Sequence, residues 1–379
     1  MQVEGTFMTD ANIHRITEGG LDAFAVDRSC FDKLYITVHP EDVSSPTNMF
    51  FSLAQFLKEH DAKIMSQDIF GCNHDHEEGL AELRKACGEI TWPLAWIEGD
   101  NCSHSGITST QVYAIRGDSP RSIEMNGNIV GSVFEDDDAR YCLIAGLSPL
   151  DQSLSREEQA ESVFERMKTA LSLADMTFDN VVRTWLYIDS ILSWYDEFNT
   201  VRTNFFKENG VFGKLVPAST GIGCANRVGA ALVSDVLAIQ PKTDDITIQA
   251  IPSPLQCPAL DYESSFSRAV EVDLPDHRRL YISGTASIEP GGATAHVGDT
   301  SMQISLTMDV VAAILESRDM TWTDVTRANA YFKDIDEAHL FDEYCKANNL
   351  PVLPAAIAHS DICRDDLLFE IELDAVVAK

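Results

Sequence analysis

Asp175-Met-Thr-Phe-Asp-Asn-Val-Val-Arg183 and Asp319-Met-Thr-Trp-Thr-Asp-Val-Thr-Arg327 are two copies of one word, and the 379-residue chain is organised around that repetition. Upstream of each copy, apolar residues recur at helical spacing. They are Val163, Phe164, Met167, Leu171 and Ala174 before the first, and Ile304, Met308, Val311 and Leu315 before the second. Ahead of each helix stands a short strand pattern, Tyr141-Cys-Leu-Ile-Ala-Gly146 or Leu280-Tyr-Ile-Ser-Gly284. Behind each copy come a strand, a second helix (Trp194 to Asn209, Glu337 to Asn348) and a proline, Pro217 or Pro354, that leads into two closing strands. A more divergent copy opens the chain: strand Leu34-Tyr-Ile-Thr-Val38, a helix with Phe50, Leu53, Ala54 and Leu57, the word His60-Asp61-Ala62, and Pro93. The sequence therefore predicts an α+β protein of three tandem units over residues 1–125, 126–245 and 246–379. Each unit is a mostly antiparallel or mixed sheet with two helices on one face. The stretches 116–139 and 240–262, rich in Pro, Gly and acidic residues, read as linkers, and Glu135-Asp-Asp-Asp138 as a solvated turn.

Charge narrows the function classes. Sixty acidic against 28 basic residues give a formal charge of −32, a field that repels phosphate backbones, so a nucleic-acid partner is not expected. A small anionic substrate would need a local cationic pocket set against that field. No apolar run reaches the roughly 18 residues of a membrane span. The acidic opening Met1–Asp10 has no basic-then-apolar leader, and the nine cysteines are scattered without a CxxC; both features point to a cytoplasmic protein with reduced thiols and no disulfide. There is no Walker A and no GxSxG, and Gly284 stands in no GxGxxG, so no cofactor is implied. Cys72, His74, Asp75, His76 and Glu77, with Cys102 and His104 further on, lack the regular pair spacing of a zinc site. They read as a polar loop opening a helix at Glu77–Cys87, and no metal is expected.

Beyond the repeat, several words resemble a known family. Leu280-Tyr-Ile-Ser-Gly284, Asp319-Met320, Pro354-Ala355 and Phe369-Glu-Ile-Glu-Leu-Asp-Ala375 are similar, in order, to the Rid/YjgF superfamily, over residues 264–379. The stretch from Tyr141 to Ile239 repeats the plan. Arg183-Thr-Trp185, Pro254-Leu-Gln256, Ser264-Ser-Phe-Ser-Arg-Ala269, Ile282-Ser-Gly-Thr-Ala-Ser-Ile288, His296-Val-Gly-Asp299 and Asp361-Ile-Cys-Arg364 further resemble its chorismatase branch, tandem enzymes that hydrolyse the enolpyruvyl ether of chorismate. The resemblance implies Rid/YjgF-like (chorismate mutase-like) units. Because Rid proteins are typically trimers with sites between subunits, it also implies that three units in one chain close as an internal pseudo-trimer. The chain would then be a monomer, or else a low homo-oligomer joined through units two and three.

The resemblance also implies roles. Glu370 falls on the glutamate that orders water in Rid enzymes and donates the proton in chorismatases. Cys363 matches a cysteine of some chorismatases, and the two are the catalytic candidates. Gly284 falls on the pocket glycine, with Ala286 beside it, and Phe266 stands where Rid deaminases carry a tyrosine. The arginine by which those deaminases hold a carboxylate is replaced by Ala356, Ser219 and Ala95 in the three units. Arg183, Arg268, Arg327 and Arg364 are the candidate substitutes, and the sequence does not choose among them. The expected function is cofactor-free hydrolysis of a small anionic metabolite. The alternatives are an enamine or imine deaminase, or a non-catalytic metabolite- or partner-binding protein. Each residue also has a plainer reading. Glu370 and Glu372 share a strand face that could be solvated. Arg183 and Arg327 could be internal ion-pair partners, Phe266 packing, and Cys363 a small buried hydrophobe.

Overall fold

Asp61, Asp175 and Asp319, the aspartates of the three repeated words, share one unusual backbone state, with φ of 48°, 55° and 55°. Each lies just beyond a helix, where a left-handed residue lets the chain fold back on the last turn. In the second and third units the next amides, of Met176 and Met320, donate to the carbonyls of Leu171 and Leu315 at 3.0 Å. The word then closes a turn: the Thr177 amide donates to Asn180 Oδ1 at 3.0 Å and that of Thr321 to Asp324 Oδ2 at 2.7 Å. The repeated word thus encodes a helix stop, a turn and a strand start.

The computed structural model describes residues 11–28, 32–41, 45–98, 106–262 and 264–379. The first unit contains β1 (Asn12–Glu18), β2 (Leu21–Asp27), β3 (Asp32–Val38), α1 (Met49–Glu59), β4 (Ala62–Gly71), α2 (His76–Cys87), β5 (Leu94–Ile97) and β6 (Ile107–Arg116). The second contains β7 (Arg121–Met125), β8 (Asn128–Glu135), β9 (Ala139–Leu147), α3 (Arg156–Leu173), β10 (Val181–Ile188), α4 (Tyr195–Glu208), β11 (Ala218–Gly223) and β12 (Leu232–Pro241). The third contains β13 (Thr247–Ile251), β14 (Ala269–Asp273), β15 (His277–Ala286), α5 (Thr300–Glu316), β16 (Val325–Phe332), α6 (His339–Ala347), β17 (Ala355–His359) and β18 (Phe369–Ala378). All three follow one order, βββαβαββ, and form three six-stranded mixed sheets. Within each sheet the last strand lies between the third and the fourth, and only the fourth and fifth run parallel. The expected helix stripes are buried: Val163, Phe164, Met167 and Leu171 on α3, and Ile304, Met308, Val311 and Leu315 on α5.

The sheets close into a ring. β5 lies beside β9, β11 beside β15, and β17 beside β6, so each unit offers its fifth strand to the next. Met65 and Ile115, Tyr141 and Val182, and Val270 and Tyr281 join one core drawn from all three units. This is the internal pseudo-threefold arrangement that the resemblance implies.

Three readings are corrected. The stretch 240–262 is not all linker, since β13 within it pairs with β14 as a strand of the third sheet. The stretch 116–139 is not a linker: it forms the β7–β8 hairpin, turned by Asn126 and Gly127 at φ of 53° and 78°. Asn-Gly is a favoured pair for that tight turn. The Glu135–Asp138 run is not merely solvated either. Asp136 is buried, and the Arg28 guanidinium from the first unit reaches Asp136 at 2.7 Å, Asp138, and Asp276 of the third unit at 2.7 Å. One side chain therefore ties three units together.

Candidate active site

Between the second and third units lies a cleft of about 550 Å³ counted to its mouth. Its third-unit wall begins with an irregularity. The β15–β18 register shifts between Ile282 and Thr285, a bulge that re-aims the strand at Gly284. The Gly284 amide donates to Thr220 Oγ1 of β11 at 3.0 Å, and the Ser219 amide donates to Ser283 Oγ at 2.9 Å, which fastens the two units at the cleft floor. A Cβ on Gly284 would collide with Glu370 Oε1. With glycine here the carboxyl takes the space a side chain would fill, and any Cβ would displace it.

Glu370 and Glu372 both stand on this face of β18, and both are buried, which removes the solvated-face reading. Their environments differ. Glu372 accepts from Trp185 Nε1 at 2.8 Å, from Asn329 Nδ2 at 2.6 Å, and from Arg183 Nη2 and Thr220 Oγ1. Arg327 Nη2 lies 3.3 Å away. Burial would raise its pKa, but Arg183, Arg327 and these donors hold it below the ordinary value. Glu370 lines the cleft, and no hydrogen bond from another described residue reaches its carboxyl. Burial first, and the charge of Glu372 second, push it up to about 8, with Arg183 and Arg268 offsetting only part.

Of the residues singled out by sequence, Glu370, Cys363, Gly284, Ala286, Phe266, Arg268 and Arg364 line this one cleft. Arg183 and Arg327 do not. Arg183 is fully buried against Glu372, Arg327 pairs with Glu372, Asp68 and Asp374, and both stack on the Trp185 ring at 4.9 Å. They support the floor rather than face the opening. Burial, then Glu370, push the Cys363 thiol up to about 12, so it stays a neutral thiol and not a thiolate nucleophile. Arg268 donates to the Cys257 carbonyl at 3.0 and 2.9 Å, and Arg364 to that of Gly292 at 2.7 Å.

Sequence reading missed Arg202 and Tyr195, both on α4 and both lining the cleft. The signal for Arg202 was available. It shares a helical face with Phe198, Phe205 and Phe206, all buried, and an arginine in an apolar stripe is out of pattern. The cleft therefore gathers three guanidiniums, Arg202 from one unit and Arg268 and Arg364 from the other, around one high-pKa carboxyl. Ser219, where a deaminase would place its arginine, lines the same cleft.

The polar loop after β4 contains Cys72, His74 and Asp75 with ligand atoms within 4.8 Å of one another. Cys72 is in a disulfide, which corrects the expectation of fully reduced thiols and removes its sulfur as a thiolate ligand. Cys87, Cys142, Cys257, Cys345 and Cys363 carry free thiols, while Cys30, Cys102 and His104 lie outside the described residues. No helix among the described residues is long and apolar enough to cross a membrane.

A family model described as Endoribonuclease L-PSP matches residues 138–233 and 258–377. A chorismatase of Streptomyces hygroscopicus is 28% identical over 215 residues, 51% of this chain and 60% of the relative. A 3-hydroxybenzoate synthase of the same organism is 25% identical over 229 residues, 53% of this chain and 64% of the relative. The chain thus spans less than two thirds of the relatives it matches. Among solved structures, a chorismatase crystal structure aligns over 82% of this chain and 92% of its own, with TM-score 0.59 and 20% identity, a likeness of fold.

Proposed function

This chain belongs to the Endoribonuclease L-PSP family and is similar to chorismatases, and we propose that it hydrolyses a small anionic enol ether of the chorismate type. The observation that carries this reading is the meeting of Arg202, Arg268 and Arg364 with Glu370 in one cleft. A molecule with two carboxylates suits three guanidiniums, and it brings the negative charge that a chain of −32 otherwise repels. The same charge argues against a nucleic-acid substrate.

Hydrolysis of an enol ether starts with protonation of its methylene carbon, which needs an acid that is still protonated at neutral pH. An ordinary glutamate would be almost wholly ionised. At about 8, Glu370 keeps its proton in most molecules at pH 7. Glu370 gives that proton to the methylene carbon, water adds to the resulting oxocarbenium carbon, and the water's proton returns to the Glu370 carboxylate. The hemiketal then separates into a keto acid and an alcohol, and the balance is one water consumed. No nucleophilic role falls to Cys363. The missing deaminase arginine at Ser219 weighs against imine chemistry.

The test is a chorismate assay that follows pyruvate release, beside an imine-quench assay, with Glu370→Gln as control. Pyruvate release that falls sharply in the variant supports the proposal. A parent that releases none, or a variant equal to the parent, overturns it.

A further inference from the structure

A second space, of about 750 Å³ counted to its mouth, lies where the three units meet and takes no part in the chemistry above. All three units wall it. Asp68 and Gln111 come from the first, Tyr141 and Asp235 from the second, and Arg327 and Asp374 from the third. Its polar wall is incompletely matched by the protein. Asp235 Oδ1 accepts from the Gly146 amide at 2.7 Å, but Asp235 Oδ2 has no partner in the protein. The same holds for Asp374 Oδ1, Gln111 Oε1 and the hydroxyls of Tyr35 and Tyr141, on residues that are all more than nine-tenths buried. Buried polar atoms are ordinarily paired; Arg279 Nε and Arg327 Nη1 on the same wall are donors without a hydrogen-bond partner, but Asp235 Oδ2, Asp374 Oδ1, Gln111 Oε1 and the two hydroxyls outnumber them, so acceptors are in excess.

Charge points the same way. The wall carries three carboxyl groups, Asp68, Asp235 and Asp374, against two guanidiniums, Arg279 and Arg327, with the Arg183–Glu372 pair behind it. Three against two leaves one acid in excess. Arg183 is committed to Glu372, and Arg327 is shared among Glu372 at 3.3 Å, Asp68 at 3.5 Å and Asp374 at 3.9 Å. Arg279 lies over the Tyr35 ring at 3.8 Å. Among the described residues no ion pair reaches Asp235. Burial, then the neighbouring Asp68, push the Asp235 carboxyl well up, so with no cation beside it this excess acid holds a proton, which a bound cation would displace. The acceptors do not converge as metal ligands would: among the described residues the one such convergence is at Cys72, His74 and Asp75. The rest of the wall, including Val112, Val236 and Leu237, is apolar.

We propose that this central cavity binds a small organic ammonium ion, with its N–H donors on Asp235 and Asp374 and its hydrocarbon body against Val112, Val236 and Leu237. The site is separate from the Glu370 cleft, and it joins residues of all three units.

The test is calorimetric titration of the full chain at pH 8 with isobutylammonium and benzylammonium chloride. Isobutanol serves as the neutral isostere, and sodium chloride at matched ionic strength as the salt control. The expected result is saturable binding of one ammonium per chain, with no matching response to isobutanol or sodium. Asp235→Asn keeps the acceptor for Gly146 and removes the charge, so it should weaken binding at least about tenfold. Asp374→Asn serves as the second variant should the first not fold, and Glu370→Gln should bind as the parent does. Equal responses to amine and alcohol, loss of binding in Glu370→Gln, or no binding at all (a cavity that holds water only) would each overturn the proposal.

Discussion

The interface between the second and third units and that between the first and second are assembled from equivalent strands, yet only one holds the candidate site. At the former, Gly284 on β15 leaves its space to the Glu370 carboxyl. At the latter the matching glycine, Gly146 on β9, stands at φ 65°, and its space is taken by the Leu94 carbonyl of β5; a Cβ there would strike that oxygen. Val233 occupies the place of Glu370, facing Tyr187 as Glu370 faces Tyr331. At the third-to-first interface Val38 replaces the glycine. The lesson is physical: the same missing side chain admits a buried carboxyl at one place and a neighbouring backbone at another. A glycine is evidence of close approach, and its partner decides what the approach is for.

The sharpest way to break this comparison is Glu370→Gln. It keeps the shape but cannot deliver a proton, so kcat should fall by about 10² to 10⁴ with little change in KM. Val233→Glu, at the closed interface, should create no activity that rescues it. Steady-state rates on any substrate the parent turns over decide the matter.

Glu372→Gln probes the floor that only the open interface possesses. It strips the counter-ion from two buried guanidiniums, Arg183 and Arg327, and should cost about 3–5 kcal/mol in urea unfolding. A surface-like loss below 1 kcal/mol would mean the network does not exist.

A pH series separates the two carboxyls. Glu370 has a folded-state pKa raised from 4.5 to about 8, so the folded state binds the proton more tightly than the unfolded one. Its ionisation therefore removes stability as pH rises through that window, and none is lost below pH 4.5. Glu370→Gln should become more stable than the parent as pH climbs from 5 to 9, by up to about 4 kcal/mol. A stability gap that does not vary with pH would show that Glu370 titrates normally.

Gly146→Ala should destabilise by about 1–3 kcal/mol, through a left-handed φ and the Leu94 carbonyl, while kcat at a temperature where the variant is folded stays at the parent value. The smallest effect is expected of Cys363→Ser. A thiol held near 12 offers no thiolate, so kcat should change less than about tenfold.

How much of this was legible before the coordinates follows from the kind of interaction involved. The repeated word carried its own local physics in the left-handed aspartate and the Thr-capped turn, so the units could be read from it. The Asn126-Gly127 hairpin is equally local, but the acidic and Gly-rich composition around it is that of a linker and masks the turn signal. Seven of the nine site candidates fall in one cleft because the words around Gly284, Phe266 and Glu370 lie on strands and loops of a single unit. Arg183 and Arg327 could not be placed the same way. Arg183 reaches Glu372 across a unit boundary, and Arg327 is shared between Glu372 and Asp374 of its own unit and Asp68 of the first, pairings that no periodicity shows. Arg202 reaches the cleft from the other unit, and only its position in an apolar stripe marks it.

The ring closed by Arg28 has a consequence for dilution. A site built between separate subunits is lost when the protein is diluted below the dissociation constant of the assembly. Here both walls of the cleft and all three carboxylate partners of Arg28 belong to one covalent chain. Tethering replaces bulk concentration with an effective local concentration on the order of millimolar, however few molecules are present. Turnover per molecule should then be the same at picomolar and micromolar protein.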